Sequence, residues 1–160
     1  MIVVSDASPL NYLVLIDAAR LLPTLFGNVM IPQAVYDELS TPSAPDLVRH
    51  WIAHRPDWLL IRPGVVKSDP ELQSLDDGER EAILLAEDLR ADLIILDERA
   101  ARQNATRRGL RVTGTLGVLN FAGHRDLLDI PETVARLQRT SFRAAPKLYK
   151  WLLDQQRSGT

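Results

Sequence analysis

The sequence predicts an α/β fold, a central and mostly parallel sheet flanked by helices. Two observations carry that expectation. Short, almost wholly apolar runs such as "IVV" from Ile2 and "LIIL" from Leu93 have the composition of strands buried on both faces. They alternate along the chain with longer segments of helical periodicity. A third observation concerns function: Asp6 and Asp97 each come directly after such a strand segment. Ligands bind at the carboxyl ends of the strands in sheets of this kind, so both aspartates are expected on one rim.

Taken in order, "IVVS" reads as a short buried strand ending at Asp6. Ser8 and Pro9 make an N-cap and first-turn pair for a helix expected to run to about Arg20. "NVMIP" reads as a second strand, and its Pro32 opens a helix over about 33–40. "APDLVRHWIAH" has helical spacing and leads to the apolar stretch "WLLI". After a polar link, "DDGEREAILLAEDLRA" predicts a helix running directly into the strand "DLIILD". "ERAARQNATRRG" is a helix closed by Gly109, "LRVTG" a strand, and "TLGVLNFAGHRDL" another helix. The tail "APKLYKWLLDQQRSGT" predicts a last amphipathic helix through Leu153, fraying beyond it. We expect one domain over residues 1–160, with a core of about 2–128 and a helical extension over about 130–156. There is no internal repeat and no low-complexity segment.

Composition narrows the function classes. With 46% hydrophobic and 25% charged residues, the chain resembles a soluble globular protein. Its N-terminal apolar stretch is cut by Asp6 and lacks a basic leader, so no signal peptide is expected. The absence of cysteine excludes disulfides, a thiol nucleophile and thiolate metal sites, and is compatible with a cytoplasmic location. A formal net charge of -2 does not announce a nucleic-acid binder, but the charge is unevenly spread. "DPELQSLDDGERE" is acidic, whereas "ERAARQNATRRGLR" and "RLQRTSFRAAPKLYK" are basic enough to face phosphates.

Two further acids occupy suggestive places, Glu38 in "IPQAVYDELS" and Glu79 at the opening of "GEREAILLA". Each acid has a plain structural alternative. Asp6 and Asp97 could cap the helices that follow them, Glu38 could be a solvated helix charge, and Asp76 and Glu79 stand at capping-box spacing. A convergence of four carboxylates is costly unless a cation neutralises them, and Mg²⁺ or Mn²⁺ suits oxygen donors. His50 and His54 lie one helical turn apart, but Trp51 stands where a metalloprotease motif has glutamate, and no third ligand is evident. No serine has a histidine at a suggestive distance, and there is no glycine-rich phosphate loop. Arg99, Arg102, Arg107 and Arg108 read as a solvated helix face whose chemistry would also suit phosphate oxygens.

"VVSDASPL", "IPQAVYDEL", "GEREAILLAEDLRADLIILDERAARQNA" and "GLRVTGTLGVL" together resemble PIN-domain proteins, in particular the VapC-like toxin ribonucleases. The resemblance spans roughly Ile2 to Leu128 and implies a PIN-like three-layer fold. It also implies metal-dependent endonucleolytic hydrolysis of RNA, leaving 5′-phosphate and 3′-hydroxyl ends. The family's acids map onto Asp6, Glu38, Glu79 and Asp97 as catalytic residues and ligands of Mg²⁺ or Mn²⁺.

At the third position the family has small or apolar residues three, four and seven places after the acid. Counted from Glu79 these are Ala82, Ile83 and Ala86; Glu81 is the alternative. Family members often carry threonine two residues before the fourth acid, where this chain has Ile95, and Glu98 stands as an alternative or additional ligand to Asp97. Ser8 is assigned a supporting role, positioning water or bonding Asp6. The implied partners are an RNA substrate, a small antitoxin that enters the acidic site with a basic side chain, and a second copy in a homodimer. Leu148, Trp151 and Leu152 line one side of the last helix and either pack onto their own domain or meet such a partner. A PIN-like module that binds RNA or protein without cutting is the alternative reading.

Overall fold

The computed structural model describes residues 1–158, with side chains through residue 156. Its strands are β1 (Val3–Ser5), β2 (Val29–Pro32), β3 (Leu59–Arg62), β4 (Leu93–Ile95) and β5 (Val112–Thr113). All pair in parallel, in the spatial order β3-β2-β1-β4-β5. The sheet is therefore wholly parallel, and β1 is its central strand. Among the described residues nine α-helices surround it: α1 (Ala7–Leu15), α2 (Leu21–Phe26), α3 (Gln33–Leu39), α4 (Asp46–Ala53), α5 (Asp77–Asp88), α6 (Arg99–Arg107), α7 (Thr115–His124), α8 (Ile130–Gln138) and α9 (Pro146–Ser158).

Side chains alternate across a strand, so one short apolar run can supply two cores. Val3 and Ile95 pack on the face shared with α1, α4, α7, α8 and α9, whereas Val4, Ile94 and Leu96 join α5 and α6 on the other. These runs are apolar throughout because neither face of the sheet meets water, which is the three-layer arrangement expected of them. Ile130, Val134, Leu137 and Leu152 belong to the same core as Val3, which ties the last two helices to the sheet.

Several boundaries differ from the sequence reading. The first helix ends near Leu15 rather than Arg20 because Asp17 takes left-handed backbone (φ 58°), and the Ala18 N–H returns to the Leu13 carbonyl at 2.7 Å. That closure is a Schellman motif built without glycine. Arg90 and Asp126 do the same for α5 and α7, with Ala91 bonding Ala86 and Leu127 bonding Ala122. Ser8 is not the cap either. Asp6 occupies the N-cap position of α1 without a side-chain capping bond, and Ser8 lies within the first turn. The last helix continues past Leu153 to Ser158, and the part of the fraying expected at 159–160 lies outside the described residues. Leu148, Trp151 and Leu152 are also separated: Leu152 is fully buried, while Leu148 and Trp151 are exposed.

Arg108 is a further correction. It is not part of a solvated face but bonds Asp69 at 2.8 Å, Glu87 at 2.7 Å and Asn104 at 2.8 Å. Asn104 in turn donates to the Glu71 carbonyl, so α6 grips the link that leads into α5. No described helix is long and apolar enough to cross a membrane.

Candidate metal centre

The strand order reverses direction at the centre of the sheet. From β1 the chain goes to β2 on one side, and later returns through β4 on the other. A crevice opens at the carboxyl ends where an open sheet reverses in this way. Asp6 is the first residue beyond β1, and its N–H is held by the Ile95 carbonyl at 3.0 Å. Asp97 lies two residues beyond β4. Both side chains line a cleft of about 550 Å³, together with Glu38 from α3 and Glu79 from α5. The four acids mapped from the sequence thus meet at one rim.

Gly78 lets α5 and α3 close on this rim. A Cβ at position 78 would stand 3.0 Å from Asp6 Oδ1 and 3.2 Å from Glu38 Oε2, so any side chain would crowd both carboxylates. Glu79 is held by the capping box that its spacing allowed: Asp76 Oδ1 accepts the Glu79 N–H at 2.8 Å, and Glu79 Oε2 accepts the Asp76 N–H at 3.2 Å. The capping reading of Glu79 is therefore borne out, and the box fixes a carboxylate that still lines the cleft. Glu81 turns instead into the neighbouring groove beside Asp37. Asp76 and Glu98 also line the acid cleft, and Asp76 had been legible only as a cap.

Asp97 is fixed most firmly. Oδ1 accepts the Thr115 N–H at 2.8 Å, and Oδ2 accepts the hydroxyls of Thr115 at 2.6 Å and Ser8 at 3.2 Å. Ser8 therefore supports Asp97 rather than Asp6. Sequence reasoning missed Thr115, although its place at the start of α7, directly after β5, was a usable signal. Gly114 permits the approach, since a Cβ there would fall 2.8 Å from Asp97 Oδ1 and 3.0 Å from the Leu96 carbonyl.

The other wall of the cleft comes from Ser141, Phe142 and Arg143, which no local motif announced. Phe142 is anchored edge-on against Tyr12, with ring centroids 5.1 Å apart. His50 on α4 and His54 at its C-terminal cap lie 4.5 Å apart, ring to ring, outside this cleft and, among the described residues, without a third ligand.

The cleft is electrostatically strained. Burial, with smaller contributions from Asp76, Glu38 and Glu79, raises the Asp6 carboxyl to about 8, while the N–H of Ala7 pulls the other way. Burial and Asp76 raise Glu79 to about 7, and partial burial with Asp76 also raises Glu38. Native Asp6 and Glu79 thus hold protons that the unfolded chain, at its ordinary 3.8 and 4.5, has already released. More protons bound in the native state means that stability falls as pH rises. We expect metal-free protein to be most stable with respect to these groups near pH 4 and to lose stability progressively to about pH 8. Thermal melts in chelator across that range check the slope.

Asp6 Oδ1 is buried and has no hydrogen-bond partner. An orphaned carboxylate oxygen in a cleft lined by further carboxylates is the donor chemistry of a hard divalent cation. Among the described residues, no group of three or more acids or histidines is placed closely enough to hold an ion, so the fit is one of donor type along a shared cleft.

A family model for the PIN domain matches residues 2–158, nearly the whole chain. The chain belongs to the PIN-domain family. The PIN-domain assignment agrees with the parallel three-layer fold and with a nuclease class of activity, for which divalent metals are typical. No curated protein and no solved structure matches the chain significantly.

Proposed function

We propose that this PIN domain is a metal-dependent endoribonuclease, the toxin of a toxin–antitoxin pair. The observation that carries the reading is that Asp6, with its unpartnered Oδ1, Glu38, Glu79 and Asp97 line one cleft at the sheet's reversal point. These four would hold one or two Mg²⁺ or Mn²⁺ ions. When bound, such an ion supplies Lewis acidity for in-line attack of water on phosphorus and charge neutralisation at the leaving oxygen.

The protein's own contributions follow from the geometry. Thr115 and Ser8 fix the Asp97 carboxylate in one orientation, so no reorganisation is needed there during reaction. The capping box does the same for Glu79. Uncompensated, the acids would repel a phosphodiester, which makes cleavage depend on the cation. Arg143, which also lines the cleft, would meet the RNA backbone. The toxin reading rests on the resemblance of the acid motifs to VapC-like proteins, and it brings with it an antitoxin whose basic side chain enters the acids and a homodimeric assembly.

The test is incubation of purified protein with single-stranded and hairpin RNAs in Mg²⁺, Mn²⁺ or EDTA. We expect internal cuts with 5′-phosphate ends in either metal and none in EDTA. Binding without cutting under every metal condition would favour a non-catalytic module and overturn the reading.

A further inference from the structure

A second groove, of about 470 Å³, adjoins the acid cleft, and its walls come from β5, α7 and α9. Asp97, Phe142 and Arg143 line both cavities, so the segment at 142–143 forms the ridge between them. Leu148 and Trp151 also line it, exposed by 43% and 41% although the same helix buries Leu152 completely. Arg102, from α6, lines it as well. Arg102 donates to the Leu96 carbonyl, and Arg143 to the carbonyls of Thr140 and Phe142; among the described residues neither lies within ion-pair distance of a carboxylate. Lys147 lies one turn before Trp151 on α9.

We propose that this groove takes an unpaired base flanking the scissile phosphate, stacked on Trp151, with the adjoining backbone held by Arg102 and Arg143. The proposal rests on the ribonuclease reading for its substrate class. Three features select this occupant. The groove is continuous with the acid cleft across Arg143, so a strand whose phosphate lies among the acids must pass along it or away from it. Its cations lack carboxylate partners and complement a phosphate chain. An exposed aromatic beside cations is the platform on which single strands stack their bases, and a duplex cannot offer those faces. A protein partner would need a broader apolar centre; in this groove only Leu148 and Trp151 are large exposed apolar side chains.

The test measures binding in EDTA, where no cleavage occurs, using a fluorescein-labelled ten-nucleotide oligoadenylate, its abasic counterpart and a duplex of equal length. Trp151→Ala should weaken oligoadenylate binding about tenfold, Trp151→Phe should retain most of the affinity, and the abasic strand should be insensitive to both. Arg143→Gln should weaken both single strands alike and reduce the slope of log affinity against log salt by about one. Unchanged oligoadenylate affinity in Trp151→Ala overturns the proposal, as does an equal loss for the abasic strand. A variant that changes molar mass in solution but not RNA affinity would assign the groove to a protein contact instead. The two readings fail separately: base-dependent binding without any Mg²⁺-dependent cutting removes the nuclease assignment, whereas cutting with Trp151-independent binding removes only the base site.

Discussion

The Asp6→Asn protein is expected to lose RNA cleavage by roughly a thousandfold or more, yet to unfold at a higher temperature than wild type in metal-free buffer at pH 8. The first effect follows from the role proposed for Asp6. Lewis-acid stabilisation of a phosphoryl transition state is worth several kcal/mol, and each 1.36 kcal/mol is tenfold in rate. The second effect follows from burial. Asp6 is only 5% exposed, and its carboxyl is raised to about 8 chiefly by desolvation. At pH 8 the unfolded chain ionises this group freely, while the native chain must either keep the proton or bury a charge beside Asp76, Glu38 and Glu79. Asparagine removes that conflict at nearly constant volume, and its amide can donate toward the neighbouring carboxylates. The gain should be on the order of 2–4 kcal/mol at pH 8 and should shrink toward pH 4, where aspartate is protonated in both states. A variant that is destabilised at pH 8 would contradict the burial cost assigned to the Asp6 carboxylate.

Glu79→Gln and Glu81→Gln should differ sharply despite lying two residues apart. Glutamine still serves a capping box, so Glu79→Gln can keep its bond to the Asp76 N–H and leave α5 intact. What it loses is one negative charge in the acid cleft. We expect about a hundredfold loss of cleavage and, in metal-free buffer at pH 8, a rise in melting temperature smaller than that of Asp6→Asn, because the Glu79 carboxyl is also raised, to about 7. Glu81 faces the adjoining groove beside Asp37 and Gly78, so its substitution should leave cleavage within about threefold of wild type. Initial rates on one RNA at saturating Mg²⁺ compare the two directly, and a greater loss at Glu81 would mean that the wrong face of α5 has been assigned to the site.

The parts of this architecture that depend on local pattern were legible. Strand and helix periods gave the order of most elements, and an aspartate directly after a buried apolar run marked the rim at Asp6 and Asp97. Glu38 and Glu79 carry no local signal beyond an ordinary helix charge and a cap; their assignment came from the ordered set of motifs, and the packing of α3 against α5 then brought them to the rim.

What escaped sequence reasoning depends on contacts between distant segments or on backbone states that side chains do not advertise. Asp17, Arg90 and Asp126 end helices in a conformation usually given to glycine. The six-residue α2 contains a proline and is too short to show a period, so it was not anticipated. Arg108 looks solvated on its own helix and becomes enclosed only because Asp69 and Glu87 arrive from elsewhere. Thr115 reaches Asp97 because β5 pairs beside β4. Arg143 enters the cleft because Phe142 docks on Tyr12, far away in sequence.

The most direct measurement of the central claim is the stabilisation that Mn²⁺ confers on wild type and on Asp6→Asn at pH 8, read as the shift in melting temperature. An ion that binds only the native state stabilises it by RT ln(1 + [L]/Kd), about 2.7 kcal/mol at a hundredfold excess over Kd. For a chain of this length that corresponds to a rise of roughly 5–10 °C. The account predicts such a rise for wild type and almost none for Asp6→Asn. Equal shifts in the two proteins, or no shift in wild type, would contradict a metal centre built on Asp6.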